Sequence, residues 1–89
     1  MLYPFMTLND DTEIVHSETL PDGSVKVCVE TPVDGGFHHM TVYLPEYRIA
    51  EVSDYTFDDL EKYMKLIRLN SHLIIRFAAG GGFENAPPV

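Results

Sequence analysis

The sequence predicts an α+β fold in which an antiparallel meander of three to four strands packs one face against a single long C-terminal helix. Two observations predict it. From Glu13 to about Ile49, strand-forming residues alternate with turn sequences typical of hairpins. From Phe57 onward, a helix start signal is followed by charged residues at helical spacing. The 89 residues suit a single domain, 1-89, with loosely ordered ends expected at 1–12 and 83–89.

The central hairpin has the clearest register. Asp34-Gly35 is a two-residue hairpin signal, because a type I′ turn needs positive φ at both central residues and these two residue types tolerate it. This turn sets Val33 opposite Gly36 and thereby fixes the pairing of both strands. The register predicts apolar pairs on one face: Val25 with Leu44, Val27 with Val42, and Val29 with Met40. The other face is mixed and polar: Lys26, Cys28, Glu30, His39, Thr41 and Tyr43.

The first hairpin admits two registers. If Pro21-Asp22-Gly23 is a three-residue loop, Glu18 opposes Lys26 and His16 opposes Cys28. If only the last two of those residues form the loop, every pair shifts. The opposite charges of Glu18 and Lys26 favour the three-residue loop.

A helix is predicted after the sheet, from Phe57 to Ala79. Thr56 supplies an N-cap and Asp59 an acid three residues later, which together form a capping box. Seven of the eight charged or histidine side chains from Asp58 to Arg76 fall on one narrow stripe of an ideal helix. The rest of the circumference is apolar, and the helix would be about 35 Å long.

An alternative breaks this helix in the middle. Asn70-Ser71 could be a turn, and residues 72–78 could then form a buried strand, since a short apolar run does not reveal its type by periodicity. The charged stripe continues past Asn70 without a change of phase, and the glycines at 80–82 provide a helix stop. These features favour one unbroken helix.

The apolar surface of this helix exceeds what the sheet can cover. One flank can pack on the valine-rich sheet face: Leu60, Met64, Ile67, Ile74 and Ala78. A second set turns away and predicts the interface of a homodimer, because one self-complementary patch serves both chains: Tyr63, Leu66, Leu73 and Phe77. The alternative is a monomer in which N-terminal residues fold back over this patch: Leu2, Tyr3, Phe5 and Met6.

Composition and charge restrict the partners. The formal net charge is −8, and thirteen of the fourteen acidic residues lie within residues 1–61. An acidic body argues against nucleic acid and suits a basic protein partner. No apolar run approaches the ~20 residues of a membrane span, and the first six residues show no secretory leader. With Cys28 as the single cysteine, we expect a cytoplasmic protein.

No catalytic motif or cofactor site is evident, so the sequence does not indicate an enzyme. One constellation could hold a metal. The three-residue loop would bring an imidazole pair, a thiolate and a carboxylate to one sheet face, and these groups are zinc ligands: His16, Cys28, Glu30 and His39. A metal or small-ligand binding protein is therefore the alternative function.

Two segments carry a resemblance to a known group of proteins. These are residues 36–48, Gly-Phe-His-His-Met-Thr-Val followed by Tyr-Leu-Pro-Glu-Tyr-Arg, and residues 70–74, Asn-Ser-His-Leu-Ile. They resemble small uncharacterised bacterial strand-helix domains, some of which are encoded beside toxin-antitoxin genes. The resemblance implies a small partner-binding protein. Together with the apolar helix, it favours a non-enzymatic, self-associating protein-interaction module, with an acidic antitoxin-like or accessory factor as one form of it.

Overall fold

The computed structural model describes residues 1–81 as a five-stranded antiparallel sheet and one helix. The strands follow one another in sequence order across the sheet. The elements are β1 (Leu2–Thr7), β2 (Glu13–Ser17), β3 (Val25–Val33), β4 (Gly36–Leu44), β5 (Arg48–Ser53) and α1 (Phe57–Ala79). The predicted α+β class is confirmed, but the sheet has five strands and not three or four.

The additional strand comes from the N-terminal residues, which we expected to be loosely ordered. β1 pairs antiparallel with β2, with an irregularity between Pro4 and Met6. The other end expected to be loose, residues 83–89, lies outside the described residues. In the described part of the chain, no helix combines the length and the hydropathy needed to cross a membrane.

The predicted register of β3 and β4 is confirmed along its whole length, from Val33 opposite Gly36 to Val25 opposite Leu44. Its apolar face forms the centre of the core. The turn type is different, because Gly35 has φ +85° whereas Asp34 is not among the residues with positive φ. A two-residue turn with positive φ only at its second residue connects the two strands and does not force a non-glycine residue into the left-handed region.

The predicted register of β2 and β3 is wrong in both of its forms. His16 lies opposite Val27, one residue away from the expected Cys28. The shift lies between the hairpin loop and β2. The Leu20 amide donates to the Ser24 carbonyl oxygen at 2.8 Å, which closes a loop of Pro21-Asp22-Gly23, and the Lys26 amide then donates to the Ser17 hydroxyl oxygen at 2.9 Å. His16 consequently shares the face of Val27 and points toward the helix, where it is fully buried.

The helix matches its prediction. The Thr56 hydroxyl accepts from the Asp59 amide at 3.1 Å, and the Asp59 carboxylate accepts from the Thr56 amide at 3.1 Å, which completes the capping box. The alternative strand after Asn70 is wrong, since Asn70 lies within the helix and its amide group donates to the Leu66 carbonyl oxygen. The left-handed residue near the helix end is Gly81, with φ +90°.

The buried stripe of α1 differs from the predicted stripe at one position. Met64, Ile67, Ile74 and Ala78 are buried as expected, and Leu60 packs against the core. Tyr63, predicted to turn away, is only 2% exposed, so that prediction is wrong. Tyr63 packs against Tyr55 in the core, where the two ring centroids lie 5.1 Å apart.

The rest of the predicted interface is half-buried within the chain. Leu66, Leu73 and Phe77 are neither fully buried nor open. The Phe77 ring lies 6.0 Å from the Phe5 ring of β1, and Phe5 and Met6 pack against the core. Phe5 therefore lies where the alternative prediction placed the N-terminal residues, over the helix flank that includes Phe77.

The core position of Tyr63 can be tested by truncation. Tyr63→Ala should lower the free energy of unfolding by about 3–5 kcal/mol, because it removes a buried ring and leaves a cavity. Leu69→Ala, on the same helix but at a side chain that is 66% exposed, should change it by less than about 0.5 kcal/mol. Urea titration followed by circular dichroism measures both, and equal effects would contradict the assignment of Tyr63 to the core.

Candidate interaction surface

β5 is the open edge of the sheet on the side that the helix covers least. It pairs with β4 only, so one row of its backbone groups has no strand beside it in the described chain. Every residue from Arg48 to Val52 is exposed. The helix makes its main contacts with β2 and β3. The sheet surface near β5 is therefore left without a full cover.

Three exposed apolar side chains gather at this edge. Ile49 lies opposite Val42 and Val52 lies opposite Met40, so both belong to the face that packs on the helix. They are nevertheless 45% and 43% exposed. Phe57, the first residue of α1, is 71% exposed. Apolar side chains at such exposure favour contact with another molecule when they are contiguous.

Between β5 and α1 lies a groove of about 610 Å³, which we call the edge groove. Five of its eight lining residues are apolar or aromatic, and the other three are charged residues of the helix. The lining consists of Tyr47, Ile49, Phe57, Leu60, Glu61, Met64, Lys65 and Arg68. Protein-protein interfaces combine apolar and charged side chains in this way.

Tyr47 closes one end of the edge groove. Its backbone takes φ +60°, a left-handed conformation in the turn between β4 and β5. Its hydroxyl donates to the Ser71 hydroxyl oxygen of α1 at 2.9 Å, and the Arg68 guanidinium lies 5.4 Å from its ring centroid. The hydrogen bond and the cation-π contact hold this turn against the helix and so give the groove a fixed wall.

A cluster of buried hydroxyl groups fixes the connection from β5 to α1. The Thr31 hydroxyl lies 2.7 Å from the Tyr55 hydroxyl and 2.6 Å from the Thr12 hydroxyl. The Tyr63 hydroxyl is more distant, at 3.4 Å from Thr12 and 3.5 Å from Thr31. Burial raises the pKa of Tyr55, because removal from water disfavours the phenolate. Because Tyr55 lies between β5 and Phe57, its anchoring places Phe57 at the groove.

Among the described residues that line the edge groove, there is no serine, cysteine or histidine. Its charged side chains, Glu61, Lys65 and Arg68, are on exposed positions of the helix. What the groove offers is apolar surface, a free strand edge and a few rim charges.

The predicted metal set is divided between the two faces of the sheet. His16 faces the helix, and its Nδ1 bonds the Ser17 carbonyl oxygen at 2.8 Å. Cys28, Glu30 and His39 lie on the opposite face, so the prediction of a common face is wrong for His16. Within residues 1–81, no group of three or more potential ligands is close enough to hold a metal ion.

Cys28 itself has a poor environment for metal or redox chemistry. Its sulfur is half-buried, 3.9 Å from the Thr41 hydroxyl. Burial raises the pKa of the thiol, and a protonated thiol is neither a strong ligand nor a strong nucleophile.

A second, smaller cleft of about 300 Å³ is acidic. Its lining consists of Thr7, Asp11, Glu13, Glu30, Pro32 and Phe37. These carboxylates would serve the basic protein partner that the charge distribution predicts. That partner stays a prediction.

The residues of the edge groove were not singled out by the sequence, and a bulge is the main reason. Thr41 faces Glu51 while Val42 faces Ile49, so Ala50 is an extra residue in β5. It breaks the strict alternation by which a strand is recognised. The sequence signal that could have located the site is Phe57 itself, an aromatic residue directly after Thr56, the N-cap of α1.

The chain matches no protein-family model, and comparison with curated proteins and with solved structures also gave no match. The resemblance to small bacterial strand-helix domains stays a hypothesis.

Two tyrosine variants can test the hydroxyl cluster. Tyr55→Phe should lower the free energy of unfolding by about 1 kcal/mol, because it removes a short, partly buried hydrogen bond. Tyr63→Phe should cost less than about 0.5 kcal/mol, since its hydroxyl contacts are at the limit of hydrogen-bond length. Chemical denaturation measures both, and a larger loss for Tyr63→Phe would contradict the geometry of the cluster.

Zinc addition can test the division of the metal set. Because His16 and Cys28 are on opposite faces, zinc at moderate excess should leave the melting temperature unchanged, since only a ligand that prefers the folded state stabilises it. A zinc-dependent rise in the melting temperature that disappears in Cys28→Ala would show that Cys28 does ligate metal.

Proposed function

We propose that this protein is a non-enzymatic, self-associating protein-interaction module and that the edge groove is its binding surface. One observation carries the proposal: Ile49 and Phe57 are exposed in one groove beside a free strand edge, and Val52 is exposed on the same face of that strand. A partner that covered them would remove apolar surface from water and use the backbone groups of β5 at the same time.

A protein partner fits this surface better than a small molecule does. The edge groove is open, and one of its sides is a strand with a row of backbone groups available for pairing. Addition of a strand to an exposed sheet edge is a common mode of protein recognition. A second copy is the simplest partner, because an isologous contact needs only one self-complementary patch.

The edge groove replaces most of the helix flank first considered as the interface. Tyr63 is part of the core, whereas Leu66, Leu73 and Phe77 are already half-buried in their own chain. Phe57 and Ile49 have more exposed surface to lose on association. The proposal therefore rests on the edge groove and not on that flank.

The setting we propose is the cytoplasm, with a role as an acidic accessory or antitoxin-like factor. The net charge of −8 and the single cysteine support this setting. The charge also disfavours phosphate backbones as partners.

Phe57→Asp should weaken self-association and leave the fold intact. Aspartate at the first position of a helix interacts favourably with the helix dipole, while a charge in an apolar contact is costly. We expect the dissociation constant of the dimer to rise by at least about tenfold, as sedimentation velocity over a range of concentrations would measure.

Phe37→Asp is the matched control, because Phe37 is also an exposed phenylalanine, at 59%, but lies near the β3–β4 turn. It should leave the dimer unchanged. A parent protein that is monomeric at every concentration would refute self-association, and equal weakening by both variants would refute the edge groove as its surface.

A further inference from the structure

We propose that two copies pair antiparallel through β5 across a twofold axis, so that their sheets join into one continuous sheet. This inference rests on the proposed function and specifies how the second copy is held. The free edge of β5, the faces of its side chains and its two charges each support it.

The two edges of the sheet are not equally available. β1 contains Pro4, which lacks a backbone amide hydrogen and so protects that edge from pairing. Both edge strands are irregular, β1 between Pro4 and Met6 and β5 at Ala50, so the proline is the feature that distinguishes them. β5 contains neither proline nor lysine, and all its residues except Ser53 are exposed. Among the described strands, β5 is therefore the edge more open to another strand.

The faces of the side chains restrict the register. Ile49 and Val52 belong to the helix-covered face, because their partners in β4 are the core residues Val42 and Met40. Arg48 belongs to the open face, since it lies opposite Tyr43. Two strands related by a twofold axis pair well only if residues of the same face meet.

Ile49 opposite Val52 of the second copy meets this condition. It gives two equivalent apolar pairs on the covered face and sets Arg48 opposite Ser53 of the second copy on the open face. A shift by one residue in either direction sets an open-face residue against a covered-face residue. The bulge residue Ala50 then lies opposite Glu51 of the second copy, next to the twofold axis.

Charge complementarity supports the same register. Arg48 is one diagonal step from Glu51 of the second copy, within reach of a long side chain. Among the described residues, Glu51 has a 3.8 Å contact with His39, whereas Arg48 has a 3.8 Å contact with Glu46 and lies 4.6 Å from the centroid of the Tyr43 ring. The ion pairs are at exposed positions, so a second copy can compete with them for Arg48 and Glu51.

The covered face gains most from this pairing. Val52 of the second copy would continue the apolar floor that Ile49 begins, and Phe57 borders the same floor. The edge groove would thus be completed by the other chain, and each chain would complete the groove of the other.

Disulfide trapping tests the register. In a Cys28→Ala background, Ile49→Cys and Val52→Cys are made as separate proteins and mixed under mild oxidation. Directly opposed residues have Cα atoms about 4.5–5.5 Å apart, which is within the range for a disulfide. About half of the dimers in the mixture are mixed pairs, and these should become covalent.

Each single variant alone is the internal control. Because of the Ala50 bulge, residues 49 and 52 oppose Val42 and Met40, which are two residues apart. Two copies of residue 49, or two of residue 52, would therefore be offset along the strands by about 7 Å in addition to the strand spacing of about 4.8 Å, which is too far for a disulfide. Leu69→Cys in the same background, at an exposed helix position, should also remain uncrosslinked.

The outcomes separate the inference from the proposed function. Covalent dimers only in the mixture support the β5 register. A parent protein that dimerises in sedimentation while the mixture stays uncrosslinked, or while Leu69→Cys crosslinks instead, overturns the β5 pairing and leaves self-association standing. A parent protein that does not dimerise overturns both.

Discussion

The sheet is wider than the single helix that covers it, and this difference determines how the two edges of the core are closed. Neighbouring strands are about 4.8 Å apart, so the sheet spans about 19 Å from β1 to β5. A helix with its side chains is about 10–12 Å across. α1 is the single helix of the described residues, and it lies over β2 and β3. Both edges of the covered face must therefore be completed by other means.

The β1 edge is completed from within the chain. Phe5 reaches the helix and packs on Phe77, and its ring stands at 76° to the buried imidazole of His16, 6.4 Å away. Large aromatic side chains can bridge the distance that the helix leaves uncovered. The β5 edge carries the smaller side chains Ile49 and Val52, which do not reach across it. The asymmetry between the two edges is thus an asymmetry of side-chain size.

Those parts of the fold that depend on local signals could be predicted from the sequence. The β3–β4 register follows from a turn and an alternation within twenty residues, and the start of α1 follows from Thr56 and Asp59. The β2 register could not be predicted, because it changes where the Lys26 amide donates to the Ser17 hydroxyl, a side-chain bond that turn type and strand alternation do not reveal. The position of Tyr63 likewise depends on a partner, Tyr55, that helical periodicity does not reveal.

The candidate site was less predictable than the fold, for a physical reason. Ile49 and Phe57 are ordinary residues in their own segments, and neither carries a chemical signature. They line one groove because the sheet is wider than the helix, and the Ala50 bulge turns Ile49 and Val52 to the same face. Helix periodicity predicts uncovered apolar surface on α1, whereas in the structure the exposed apolar side chains Ile49 and Val52 lie on the edge strand β5. A strand edge is more selective than a helix flank, because its backbone groups have fixed directions and accept a partner only in a register that matches its faces.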